Sequence, residues 1–220
     1  MSAAAATDLA ITRSALHALA EQVISPVRQR ATGGRIALEA RPGGFGTHVL
    51  PDGGWVGVSG EEIVIVEPGG ARRSTPITTV RAAAAFVGDP DSESLPDEPL
   101  TVSSGAASVI AAAFDGGAQA LGALIATAAP GDDPSGIDLW PEHFDIAITM
   151  GSERAGTRAT YGVSPGDEHH PAPYAYVAPW STPPTADGWN ATGFTGAELA
   201  FSGTAATLAF FQDRRAALAR

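Results

Sequence analysis

The chain has 220 residues, long enough to bury a sizeable core, and its 44% apolar and 17% charged residues describe a globular protein of low charge density. A net charge of −11 excludes phosphate-driven nucleic-acid binding, which needs clustered Lys and Arg, and disfavours docking on anionic lipid. With no cysteine, disulfides, thiolate zinc sites and thiol nucleophiles are excluded, so any metal has to sit on His, Asp and Glu.

The start, Met1-Ser-Ala-Ala-Ala-Ala-Thr-Asp8, lacks the basic region and long apolar run of a signal peptide, and the expected location is the cytoplasm. Asp8 can cap a helix whose Leu9, Leu16, Leu19, Val23 and Val27 recur at three- and four-residue steps. Pro26 should bend this helix and Gly33-Gly34 end it. Arg35–Ala40 then alternates as a strand does, and Phe45–Leu50, Trp55–Val58 and Glu62–Val66 follow behind short turn signals, which predicts an antiparallel meander. Thr75-Pro76 reads as the cap and first position of a helix over Ile77–Val87.

Residues 89–99 are acidic and Pro-rich and read as a linker between two halves, 1–88 and 100–220; the same order of elements is compatible with one continuous domain. A helix starts near Ser103 or Ser104 and runs toward Ala129, with Asp115-Gly-Gly117 as a break point. It contains the one membrane-like stretch, Ala106–Ala129, but a central Asp costs about 2.5–3.5 kcal/mol on insertion scales, so a buried or half-buried helix is the reading adopted. Strands are predicted at Ile137–Trp140, Phe144–Met150, Arg158–Val163 and Tyr174–Ala178. A loop over Pro179–Gly196, a short strand near Ala197–Phe201 and a closing helix Thr204–Leu218 complete the chain. The expected fold class is α+β: antiparallel sheet or sheets with flanking helices, in two similar helix–strands–helix halves.

Chemistry-bearing residues concentrate in Leu139-Trp-Pro-Glu-His-Phe-Asp145 and in Tyr161–Trp180. On an extended segment His143 and Asp145 share a face, and Asp167-Glu168-His169-His170 lies in the next loop, able to fold over them. His143, Asp145 and Glu168 are therefore the candidate catalytic residues, with His143 as base and Asp145 orienting it. His143, Asp145, Glu168 and His169 are the candidate ligands of a divalent metal. The alternative is a structural His143 bonded to a carboxylate, with Asp167-Glu168 capping a turn. Trp140, Tyr174, Tyr176 and Trp180 are the candidate wall of a small-molecule pocket, or else part of an aromatic core. Gly43-Gly-Phe-Gly46 links strands and does not open a helix, so no nucleotide cofactor is expected. His17 and His48 read as structural or exposed.

The segments Leu139–Asp145, Gly162-Val-Ser-Pro-Gly-Asp-Glu168 and Pro173-Tyr-Ala-Tyr-Val177 resemble a family of uncharacterised bacterial proteins. Weaker likeness covers Arg35–Glu39, Arg41–Gly46 and the terminal Phe210-Phe211 with Arg214-Arg215. The bias of all 13 basic residues to Arg fits a GC-rich bacterial genome. The resemblance implies a stand-alone fold and brings no assigned activity. Function is accordingly expected to be small-molecule binding or a metal-dependent hydrolase- or isomerase-like reaction at the His and carboxylate cluster. The alternative is an accessory protein docking through the aromatic and proline-rich surface around Pro171–Pro184.

Overall fold

In the computed structural model, which describes residues 2–183 and 188–220, two helix–meander–helix arrangements follow one another along the chain. The backbone divides into two units, Met1–Ala112 with Leu139–Phe144, and Ala113–Asp138 with Asp145–Arg220.

In the first unit, helix α1 (Ala3–Leu19) is capped by Ser2, whose hydroxyl accepts the Ala5 N–H at 3.2 Å, and so starts well before the expected cap Asp8. Its Leu9, Leu16 and Leu19 are buried, as their spacing requires. Pro26 has no N–H to donate back along the helix. The chain absorbs the loss in a wide turn, Ala20–Ile24, where the Ser25 N–H reaches the Ala20 carbonyl before α2 (Ser25–Thr32) resumes. Gly33, with φ of 71°, closes α2 in the left-handed conformation.

The first sheet is an antiparallel meander of β1 (Glu39–Arg41), β2 (Gly44–Gly46), β3 (Trp55–Ser59), β4 (Glu62–Val66) and β5 (Arg72–Pro76). Phe45, Val56, Val58 and Ile63 share its buried face, and Phe45 alone is worth about 1.5–3 kcal/mol of burial. The expected strands Arg35–Ala40 and Phe45–Leu50 are shorter than their alternation suggests. Leu38 instead exchanges backbone hydrogen bonds with Leu139 at 2.7 and 2.8 Å. Strand β5 went unpredicted because its exposed Arg72, Arg73 and Ser74 carry no apolar alternation. Pro76 ends that edge strand, where its missing N–H costs nothing. Helix α3 (Val80–Phe86) is consequently capped by Thr79, not Thr75, through the Ala82 N–H at 3.0 Å. Residues 89–99 are tied down: Asp89 is buried on Arg30 at 3.0 Å, and Arg81 donates to the Leu95 carbonyl at 3.2 Å.

Helix α4 (Ser104–Ile125) runs unbroken through Asp115-Gly116-Gly117, against the expected break. The glycines serve close packing. A Cβ on Gly117 would stand 2.9 Å from the Val163 Cβ and 3.0 Å from the Ile146 Cγ2, and one on Gly116 would stand 2.8 Å from the Phe201 ring. By length and composition α4 is long and apolar enough to cross a membrane, and 44% of its most apolar window is buried in this structure.

The second antiparallel meander comprises β6 (Asp138–Trp140), β7 (Asp145–Met150), β8 (Ala159–Ser164), β9 (Tyr174–Pro179) and β10 (Ala197–Ala200), in the order β10-β9-β8-β7-β6. Helix α5 is Thr204–Leu218, as its stripe of apolar residues predicts. The outer edge of β10 is occupied by a side chain. Asn190 accepts the Glu198 N–H at 3.0 Å and donates to its carbonyl at 3.2 Å, imitating another strand. Of the loop expected over Pro179–Gly196, residues 184–187, including Pro184 of the suggested docking surface, lie outside the described residues. The fold class is α+β with two antiparallel five-stranded sheets, as expected.

Candidate functional site

Alternation along the strands of the second sheet sorts their side chains onto two faces. Ile146, Ile148, Tyr161, Val163, Ala175 and Val177 form the buried apolar face, where the Tyr161 and Phe211 rings meet edge to face at 5.8 Å. The opposite face carries Asp145 from β7, Gly162 and Ser164 from β8, Tyr174 and Tyr176 from β9, and Glu198 from β10.

Two tyrosine–carboxylate pairs sit side by side on this polar face. Gly162 lies directly opposite Tyr176, and a Cβ there would come within 2.6 Å of the Tyr176 ring and hydroxyl. The ring therefore lies across β8 at the one residue without a side chain. That lets its phenol donate a short hydrogen bond to the Asp145 carboxylate, two strands away. Asp145 is only 7% exposed. Burial first, and the Asp145 charge second, hold the Tyr176 phenol well above its ordinary pKa.

The second pair is built by the loop between β8 and β9. Asp167 turns that loop by accepting the His169 and His170 N–H groups, both at 2.7 Å. Its other oxygen accepts the Tyr174 phenol at 2.7 Å. His170 then spans two carboxylates, with Nδ1 3.0 Å from Asp167 and Nε2 3.1 Å from Glu198. A neutral imidazole has one N–H, so only the imidazolium donates to both. Burial alone lowers the His170 pKa, but the bonds to Asp167 and Glu198 outweigh it and the net shift is upward. Burial likewise pushes Asp167 up, yet the Tyr174 phenol and the two backbone N–H groups overcome it and hold the carboxyl below its usual value. Tyr174 is pushed up by burial and by Asp167. The rings form a series: His170 on Tyr174 at 4.2 Å, Tyr174 beside Tyr176 at 6.2 Å, and Phe194 edge-on to Tyr176 at 6.0 Å.

The structure separates the residues singled out from sequence. Residues 141–144 form a turn, and strand β7 begins only at Asp145. Phe144 has φ of 51°, which breaks the alternation expected to put His143 and Asp145 on one face; His143 is exposed in the turn. That turn is held within the first unit. The buried Phe144 ring stacks on His17 at 5.2 Å and meets Phe45 edge-on at 5.3 Å, while His17 Nε2 donates to the Pro141 carbonyl at 2.8 Å. Glu168 and His169 pair with each other at 3.4 Å in solvent. Among the described residues no group of three or more His, Asp or Glu side chains is placed to hold a metal ion. His170, Asp167 and Glu198 come nearest in composition, but the carboxylates flank opposite sides of the imidazole and do not converge on one point.

Tyr174 and Tyr176 do share the polar face. Trp180, at the end of β9, is 53% exposed; its indole N–H reaches Thr160 at 3.2 Å and the Arg158 guanidinium lies 4.9 Å from its ring. Trp140 on β6 is 39% exposed. Asp167, His170 and Glu198 were absent from the chosen set. The turn sequence Ser164-Pro-Gly-Asp167 carried a signal for Asp167, since an Asp there caps the next N–H groups. Glu198 carried none, because its meeting with His170 depends on β10 pairing with β9. The first unit holds a smaller cluster of the same kind. Glu39 meets His48 at 3.0 Å and Arg41 at 2.6 Å, and Arg41 lies 4.7 Å over Trp55. Burial raises the Glu39 pKa, but His48 and Arg41 more than reverse it.

Comparison with protein-family models, with curated proteins and with solved structures finds no match to this chain.

Proposed function

We propose that the protein binds a small organic molecule on the polar face of its second sheet and performs acid–base chemistry of the hydrolase or isomerase kind on it, in the cytoplasm. The observation that carries the reading is the side-by-side placement of Tyr174 and Tyr176, each donating to a separate carboxylate, Asp167 and Asp145. Half-buried and buried carboxylates are a poor way to stabilise a fold, because desolvation consumes most of what the contacts return. Clusters with several shifted groups concentrate at functional sites. In this reading Tyr176 and Asp145 form the inner hydrogen-bonding pair, Tyr174 presents its ring as a wall, and the His170 imidazolium is the nearest proton donor.

The test is thermal denaturation of the wild type and of Tyr176→Phe against separate panels of amines, polyols and carboxylic acids. The expected result is one class that raises the wild-type melting temperature and leaves the variant unmoved. If no class shifts the wild type, or every active compound shifts both proteins alike, the reading fails.

A second reading, docking of a protein partner, is favoured by one observation, the 53% exposure of Trp180. It predicts that Trp180→Ala abolishes co-purification with a partner and leaves the melting temperature within about 0.5 kcal/mol equivalent of the wild type.

A further inference from the structure

We propose that the loop Pro165–Pro173 is a strap over Tyr174, latched to the edge strand β10 by His170. Its role in admitting a ligand rests on the binding reading above; the latch itself does not.

Ser164 and Tyr174 face each other across the β8–β9 ladder, so nine residues connect positions that a two-residue turn can join. Hairpin loops are usually two to five residues long, and a longer one needs a reason. Here the extra chain folds into a small body of its own around Asp167. The Asp167 carboxylate gathers the His169 and His170 N–H groups, and the Asp167 N–H returns to the His170 carbonyl at 2.9 Å. Prolines at 165, 171 and 173 stiffen both ends, and Gly166, with φ of +106°, supplies a conformation other residues rarely adopt.

Besides the Ser164 hydroxyl, which accepts the Gly166 N–H at 3.2 Å and donates to the Gly166 carbonyl at 3.1 Å, side-chain ties to Tyr174 and Glu198 hold this body down. One joins Asp167 to Tyr174 at 2.7 Å, at the foot of the loop. The other joins His170 to Glu198 at 3.1 Å, across 28 residues to β10, and stands beside the backbone bond from the Phe201 N–H to the Pro173 carbonyl at 2.9 Å. It also lays the His170 ring on Tyr174 at 4.2 Å. Release of the Glu198 tie frees the Nε2 side of the His170 ring, which can then swing off Tyr174 about its remaining contact with Asp167, while Asp167 keeps the loop's internal turn intact. A compact loop with stiffened ends, held down on the β10 side by a side-chain latch, has the parts of a closing segment.

The experiment is hydrogen–deuterium exchange of the full chain without ligand, comparing the wild type with Glu198→Gln and His170→Gln. The expected result is exchange of residues 165–173 faster by roughly tenfold in both variants, with residues 159–164 of β8 unchanged. Equal protection of the loop in all three proteins overturns the latch. Loosening of β8 together with the loop in both variants also overturns it, since the tie would then hold the sheet and not a strap. No ligand is present, so a failure here leaves the binding reading standing, and a failed ligand screen leaves the strap standing.

Discussion

Single atoms decide several outcomes in this protein. The Tyr161 hydroxyl is fully buried and, among the described residues, has no hydrogen-bond partner; burial pushes its pKa up to about 12, with Arg215 opposing and Asp132 adding to the shift. An unpaired buried hydroxyl is a liability, so Tyr161→Phe is expected to raise stability by about 1 kcal/mol in urea unfolding. A loss of that size would show that the hydroxyl has a buried water or other partner. At His170 the folded pKa is raised above 6.5, so the stability its two contacts supply is fully present below that pH and fades as pH climbs through the raised value. Asp167 behaves oppositely: its folded pKa is lowered, and its contribution, present above pH 3.8, is lost as pH falls through the lowered value. The melting temperature of the wild type minus that of His170→Gln is expected to be larger at pH 5.5 than at pH 8.5, and a difference independent of pH would contradict this. The residue scale is where sequence reading was weakest. It chose His143, which the turn ending at Phe144 turns out to solvent, and passed over His170, whose partner Glu198 is distant in sequence.

At the level of elements the pattern was far more legible, because burial imposes a period that the sequence displays. Strand β4 and helix α5 were predicted end to end, and the strands of the second sheet to within a residue or two. The failures share a cause: tertiary contacts overrode local signals. Asp115-Gly-Gly117 looks like a helix break only when the packing of Gly117 on Val163 and Ile146 is out of sight, and β5 lacks apolar alternation because it is an exposed edge. The glycines of α4 give a paired prediction. Gly117→Ala gains helix propensity but drives a Cβ into Val163, and is expected to destabilise by about 1–3 kcal/mol. Gly122→Ala meets nothing nearer than Ile137 at 3.7 Å and is expected to stabilise by about 0.4–1 kcal/mol. Chemical denaturation of the two variants side by side checks both signs. A stabilised Gly117→Ala would mean that the helix is free to shift away from the sheet.

For the molecule as a whole, composition spoke most directly. A net charge of −11 at neutral pH sets like charges against one another across the surface. Moderate salt, which shortens the reach of such repulsion to about 8–10 Å, is therefore expected to raise the melting temperature at pH 7. Solubility is expected to be lowest near the sequence pI of 4.7. A melting temperature that falls with salt would indicate that attractive pairs, such as Arg215 with Asp132 at 2.5 Å, outweigh the repulsion. The sequence also conveyed the doubled helix–meander–helix order, since each turn signal is local. It could not convey which face of the second sheet gathers the carboxylates, because that depends on the register of three strand pairings at once.

Gly162 places an unusual constraint on the history of this chain. Every amino-acid replacement of a glycine adds a Cβ, and here a Cβ lands on the Tyr176 ring. Position 162 thus has no conservative alternative while Tyr176 keeps its partner, and drift there requires a compensating loss at 176. In a saturation-mutagenesis library, position 162 should be as depleted of variants as a core aromatic, although it contributes no side chain.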